Sequence, residues 1–127
     1  MARKNFYVES KYCVLCDDLM EESMSHLFFE CDFSRNFWWK LGEEWNTELD
    51  IIEMITEAKT RSLNIFFKEA MIAGCWSIWN QRNNIIFEQA QRDQDVCYGS
   101  FKSSIEMIRY RIKPSLKEGM QDWLDLL

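Results

Sequence analysis

The side chains best equipped for chemistry sit close together early in the chain: Cys13, Cys16, His26 and Cys31, in the spacing C-x2-C-x9-H-x4-C. Cys13 and Cys16 form a knuckle whose two sulfurs can reach one ion, and His26 with Cys31 supplies the returning pair. Together they make a complete Cys3His shell, the closed tetrahedral set typical of structural zinc. One structural zinc ion is therefore the cofactor this spacing predicts. A catalytic zinc keeps a position open for water, and this set leaves none. The alternative for the same residues is ordinary burial, since cysteine is among the most buried residue types. Four good ligands in one knuckle-and-return spacing favour the metal. Cys75 and Cys97 stand alone among apolar or mixed residues, and packing accounts for both.

Little else in the chain supports catalysis. His26 is the sole histidine and is assigned to the metal, so a serine or cysteine nucleophile would lack its base, and no Gly-rich phosphate loop occurs. The expectation is a protein that is not an enzyme. Asp17, Asp18, Glu21, Glu22, Glu30 and Asp32 lie between or beside the ligands, with no Lys or Arg from Cys13 through Asp32. Three thiolates on one divalent ion add to that negative charge and repel phosphate, so the metal is expected to hold a fold rather than read a nucleic-acid backbone. The formal net charge of −6 argues the same way for the whole surface. A nucleic-acid role would have to use the one positive region, Lys102, Arg109, Arg111, Lys113 and Lys117. A solvated helix face is the plainer reading of it.

The elements that must position these residues are helical. A length of 127 residues and 47% apolar content suit one domain over residues 1–127, with a zinc knuckle in 13–31 and a helical body in 32–127. The expected fold is all-α, with about five helices and a small N-terminal knuckle that could include a short hairpin. Asp32 reads as the N-cap of the first helix, with Phe33, Phe37 and Leu41 recurring along it and Gly42 as its stop. Thr47 to Asp50 resembles a capping box opening a second helix through Ala58, with Leu49, Ile52 and Ile55 inward. The longest periodic run, about Leu63 to Gln91, carries Ile72, Trp76, Trp79, Asn83 and Ile86 as a core stripe, flanked by Phe66, Ala70 and Ala73. Phe101, Ile105, Ile108 and Ile112 mark a fourth helix stopped by Pro114, the only proline. A capping box at Ser115 and Glu118 opens the last helix, with Leu116, Met120, Trp123 and Leu127 on one face. No internal repeat or linker composition marks a boundary. The opening residues MARKNFYVES lack the apolar run of a signal peptide, and no segment approaches the roughly 18 apolar residues of a membrane span. A soluble protein of the cytoplasm or nucleus is expected, where thiols stay reduced.

With these residues in place, the chain resembles the zinc-binding region that follows reverse transcriptase in plant LINE-type (non-LTR) retrotransposons. The resemblance rests on CVLC at 13–16, HLFFEC at 26–31, Phe37 and Trp38 just beyond, WSIWNQRNNIIFE at 76–88 and the ending RIKPSLKEGMQDWLDLL. It covers most of the chain. It implies that Cys13, Cys16, His26 and Cys31 are the zinc ligands. It also marks Trp76, Trp79, Arg82, Asn83 and Phe87 as a second motif, for which helix packing and capping of a neighbouring element is the simpler role. Only a dozen residues precede Cys13, where the family has a longer helical portion, and neither a paired-aspartate polymerase motif nor an RNase H carboxylate set is recognisable. That pattern reads as a truncated stand-alone copy. The resemblance implies a retrotransposon-derived, non-catalytic protein, and a protein-interaction module is the first expectation. Six tryptophans and nine phenylalanines in a shortened domain would leave apolar surface for association, with a host protein or with another copy of the chain. A regulatory role, or one as a selfish or incompatibility factor acting on that host protein, would follow. The alternative is an RNA- or DNA-binding module that uses the basic residues around Arg109 and Lys113, with aromatics available for stacking.

Overall fold

The computed structural model describes residues 11–62 and 64–127, so the reading of MARKNFYVES and the helix start at Leu63 lie outside the described residues. The architecture is all-α. A single π-helical turn, His26–Glu30, leads into α1 (Asp32–Lys40), followed by α2 (Ile51–Arg61), α3 (Phe67–Glu88), α4 (Gln94–Arg109) and α5 (Pro114–Leu126). Among the described residues there is no strand, and the hairpin of the knuckle reduces to one antiparallel bridge between Tyr12 and Glu21. None of the helices is long and apolar enough to cross a membrane.

The most extensive helix pairing is that of α3 with α4. The side chains sealed inside are Phe37 and Trp38 of α1, Ile78 of α3, Phe101 and Ile105 of α4 and Met120 of α5. Rings do much of the filling. Phe37 meets Trp38 and Phe101 edge-on, and Trp123 stacks on Phe66 with centroids 5.9 Å apart. Such pairs add about 0.5–1.5 kcal/mol each beyond the area they bury.

Helix ends follow local chemistry and shift several of the expected boundaries. Cys31, not Asp32, is the non-helical cap of α1, and Asp32 takes the first helical position, where its charge faces the positive end of the helix dipole. Gly42 ends α1 as expected, in the left-handed region at φ 79°. Thr47 does not open α2. Asp50 does, because its carboxylate accepts the Glu53 amide at 2.9 Å, so the helix begins at Ile51. Along α2 the buried positions are Met54 and Ala58, and Ile52 is exposed rather than inward. The box at Ser115 and Glu118 does not form either. Pro114 occupies the first turn of α5, where a missing N–H costs nothing, and Lys113 stands before it without a side-chain bond. Ile112 falls in the turn beyond α4, which ends at Arg109.

The largest departure concerns which side of α3 faces the core. Most of the expected stripe points outward: Ile72 and Trp76 are exposed, Trp79 is exposed at its margin and Asn83 is half-buried, whereas Ile86 and the flanking Phe66, Ala70 and Ala73 are buried as expected. The buried side carries Ala70, Ala73, Gly74, Ser77 and Gln81 with Ile78. The reason is room. Trp38 and Phe37 of α1 press so closely on Gly74 that a Cβ there would lie 2.6 Å from Trp38 Cζ3, and only small residues admit those rings.

Candidate metal centre

The knuckle is shaped by the bridge at its base. The Cys13 amide donates to Met20 O at 2.8 Å and the Glu22 amide to Lys11 O at 2.7 Å. The loop between carries Cys16 and turns back through Leu19, whose φ of 54° lies in the left-handed region. The returning pair depends on the π turn. In an α-helix, residues five apart point about 140° away from each other. Here the Cys31 amide bonds to His26 O at 2.8 Å, an i to i+5 closure that brings both ligands to the same side. Two further bonds hold this turn: the His26 amide donates to Ser23 Oγ at 3.1 Å, and the Ser34 hydroxyl donates to Leu27 O.

The four ligand atoms lie within 4.8 Å of one another, close enough to hold a metal ion. Cys13 Sγ is 3.9 Å from Cys31 Sγ, and Cys16 Sγ is 3.4 Å from His26 Nε2. A disulfide would need about 2.05 Å. A tetrahedral site with metal–sulfur and metal–nitrogen bonds of about 2.3 and 2.05 Å has edges of about 3.8 Å between sulfurs and about 3.6 Å between sulfur and nitrogen. The Cys13–Cys31 and Cys16–His26 separations lie within about 0.2 Å of those edges. Cys13, His26 and Cys31 are buried and Cys16 is half-buried. The Cys13 thiol donates to Cys31, and the amides of Phe33 and Ser34 at the start of α1 also point to its sulfur. Together they hold the Cys31 thiol down to about 6, whereas the same donation and burial push Cys13 up. Burial also raises Cys16. A thiolate is thus already favoured at the helix N-terminus, as a metal ligand requires. Burial alone pushes Cys75 and Cys97 up to about 12, the behaviour of packing thiols.

Two arginines from distant sequence close over this acidic segment. Arg82 of α3 is buried, and its guanidinium engages the Glu22 carboxylate through two bonds, Nε to Oε1 at 2.5 Å and the second nitrogen to Oε2 at 2.9 Å. The Trp79 ring lies 4.5 Å from the same guanidinium, and Asn83 Oδ1 accepts from it at 2.8 Å. Arg92, just past α3, donates to Val14 O at 2.8 Å and Cys16 O at 3.2 Å and pairs with Asp17 at 2.8 Å. The absence of basic residues from 13 to 32 is therefore offset by the fold. Arg92 was not among the residues singled out from sequence, because a lone basic residue beyond a helix end carries no local pattern. Replacing Glu22 by Gln is expected to lower stability by about 3 kcal/mol, since it leaves the buried Arg82 charge with a neutral partner. Urea denaturation of E22Q against wild type measures this, and an unchanged midpoint would show the pair to be neutral.

The remaining residues of interest separate. Trp76 and Phe87 lie exposed along α3, whereas Arg82 is buried and Asn83 half-buried. The basic residues divide between helix faces and a turn. Lys102 lies over the Tyr98 ring at 5.2 Å, Arg109 over Tyr110 at 5.3 Å, Arg111 and Lys113 fall between α4 and α5, and Lys117 is on α5. Compared with family models, curated proteins and solved structures, the chain matches none of them.

Proposed function

We propose that this chain is a non-catalytic zinc protein, derived from the zinc-binding region of a plant LINE-type retrotransposon, that acts by binding a protein of its host. Zinc is the metal best suited to three thiolates and one imidazole in a closed shell. It would be held by Cys13, Cys16, His26 and Cys31 and would tie the knuckle to the start of α1. The use of every ligand, with the sole histidine among them, supports a structural rather than a catalytic role. Reduced thiols fit the cytoplasm or nucleus. The motif pieces at 13–16, 26–31 and 76–88 support the origin, and a regulatory or incompatibility role is the biological outcome expected of such a fragment.

The observation that carries the binding role is the outward face of α3. Ile72, Trp76, Trp79 and Phe87 recur along one side of this 22-residue helix, a rod about 33 Å long. At its middle Trp79 meets Phe28 of the π turn, with centroids 6.4 Å apart. Contiguous exposed apolar surface of this kind marks association sites. Light scattering of the metal-loaded protein tests it. Wild type is expected to form a dimer or a defined complex, and Ile72→Asp with Trp76→Ala is expected to be monomeric and partnerless with metal content unchanged. A wild type that stays monomeric and loses no partner on substitution would overturn the proposal. The second reading, nucleic-acid binding, draws on exposed Tyr110 beside Arg109. It requires salt-dependent RNA binding that disappears on changing Arg109, Arg111 and Lys113 to Glu.

A further inference from the structure

On the other side of the π turn from Trp79 lies a groove of about 630 Å3. Phe28 faces α3, whereas its neighbour Phe29 lines this groove. The groove is walled by Trp39 and Trp45 and rimmed by Asp32, Glu43 and Glu44, with Arg35 as the one basic residue. Trp39 is 71% exposed although it adjoins the fully buried Trp38. Trp45 is held edge-on against Phe29 at 4.9 Å and against Trp38 at 5.2 Å. Trp38 in turn donates its indole N–H to Phe28 O at 2.7 Å, so this wall is rigid.

The chemistry of the lining selects its ligand. The lining sets three carboxylates against the one guanidinium of Arg35, and Arg61 at its edge donates to Glu44 O at 2.8 Å, so the groove keeps a net negative charge; neither Glu43 nor Asp32 has an ion-pair partner within 4.0 Å among the described residues. Glu43 is partly withdrawn from water, which raises its carboxyl, with Arg61 nearby opposing the shift. A cation entering the groove would favour its ionised form. An open indole face beside carboxylates suits a guanidinium better than an ammonium. The flat, weakly hydrated group stacks on the ring while its fork of N–H donors reaches the carboxylates. The Trp45 indole N–H is buried and has no acceptor among the described residues, so the exposed Trp39 is the ring open to a ligand. The same carboxylates exclude phosphate.

We infer that this groove receives an arginine side chain presented by a basic segment of the partner protein. The inference rests on the protein-binding reading above and names the charge of that partner. The apolar side of such a segment would suit the ridge of α3 across the π turn.

The test uses the full metal-loaded chain, labelled with 15N, and three defined probes, each N-acetylated: tri-arginine amide, tri-lysine amide and tri-citrulline amide. The expected result is a saturable shift of the Trp39 and Trp45 indole resonances with tri-arginine, weaker with tri-lysine and absent with neutral tri-citrulline. Trp39→Ala, and Glu43→Gln with Glu44→Gln, should each weaken tri-arginine binding roughly tenfold. Arg35→Ala should strengthen it. Unaltered binding by Trp39→Ala, equal response to tri-citrulline, or shifts confined to Asp17, Asp18 and Glu21 would each overturn the site, as would a preference for an oligouridine over tri-arginine. Metal content of each variant reports an intact fold, since Trp39 is exposed and its loss leaves the core untouched. The light-scattering experiment probes α3 and this titration probes the groove, so either can fail while the other stands.

Discussion

Replacing Cys16 by serine, or removing the metal with a chelator, is expected to unfold the knuckle and the π turn together and to lower the melting temperature by more than about 10 °C. The magnitude follows from the linkage of metal binding to folding. A structural zinc site contributes on the order of 10–16 kcal/mol of apparent binding energy at neutral pH, comparable with the whole stability of a domain this size. Cys16 isolates the effect. It is half-buried, serine matches its size, and unlike Cys31 it caps no helix. Cys31 would be a poorer choice because it also caps α1, a position where serine is itself favoured. Zinc content, far-ultraviolet circular dichroism and thermal melting of C16S, wild type and C75S decide the matter. C75S should keep one zinc and lose far less of the melting temperature than C16S, because Cys75 lies outside the cluster and packs against the core. Acid should act in the same direction as chelation, since ligands must be deprotonated to bind and falling pH returns their protons. A metal-free wild type with an unchanged melt in C16S would make the four residues ordinary core.

Gly74→Val is expected to be the most damaging single substitution outside the cluster. A Cβ at this position would lie 2.6 Å from Trp38 Cζ3 and 3.2 Å from Phe37 Cε2. Neither ring has space to retreat: both are fully buried, and the Trp38 indole is tied to the carbonyl of Phe28. Overpacking of this kind costs about 1–3 kcal/mol or more, which exceeds the roughly 1 kcal/mol that replacing a helical glycine returns. Gly99 provides the control, as nothing lies within 4 Å of a Cβ there, and Gly99→Ala should stabilise by about 0.5–1 kcal/mol. Opposite signs in urea denaturation would establish that space, not helix propensity, governs Gly74. Equal signs would remove that account.

These contrasts show which properties local sequence carries. The ligand set was legible because all four residues fall within one short segment and their spacing is itself the chemistry. The helices were legible because turns of apolar residues, Gly42 and Pro114 punctuate them. The direction of α3 was not. Large rings recurring every three or four residues ordinarily mark the core side, but a neighbour with still larger rings reverses the preference, and that neighbour, α1, lies over thirty residues away. Met54 and Ala58 were missed because the larger Ile52 drew the inward side, and the start of α2 because two candidate caps stood three residues apart and the carboxylate of Asp50 won. The π turn escaped notice because a five-residue spacing belongs to no common helix. Arg82 and Arg92 entered the centre through contacts 60 to 78 residues long, which no pattern within the knuckle anticipates.

The clasp of Arg92 on the knuckle sets an order of events during synthesis. Cys16 leaves the ribosome 76 residues before the arginine that will bind its carbonyl, an interval of about 4–15 s at ordinary elongation rates. All four metal ligands emerge early in that interval, so the ion can close the loop while its carboxylates still face solvent unopposed. During those seconds Asp17 and Glu22 lack the arginines that pair with them in the finished fold. Their charge is met only when the end of α3 arrives, and the knuckle then passes from an independent element to one wall of the core.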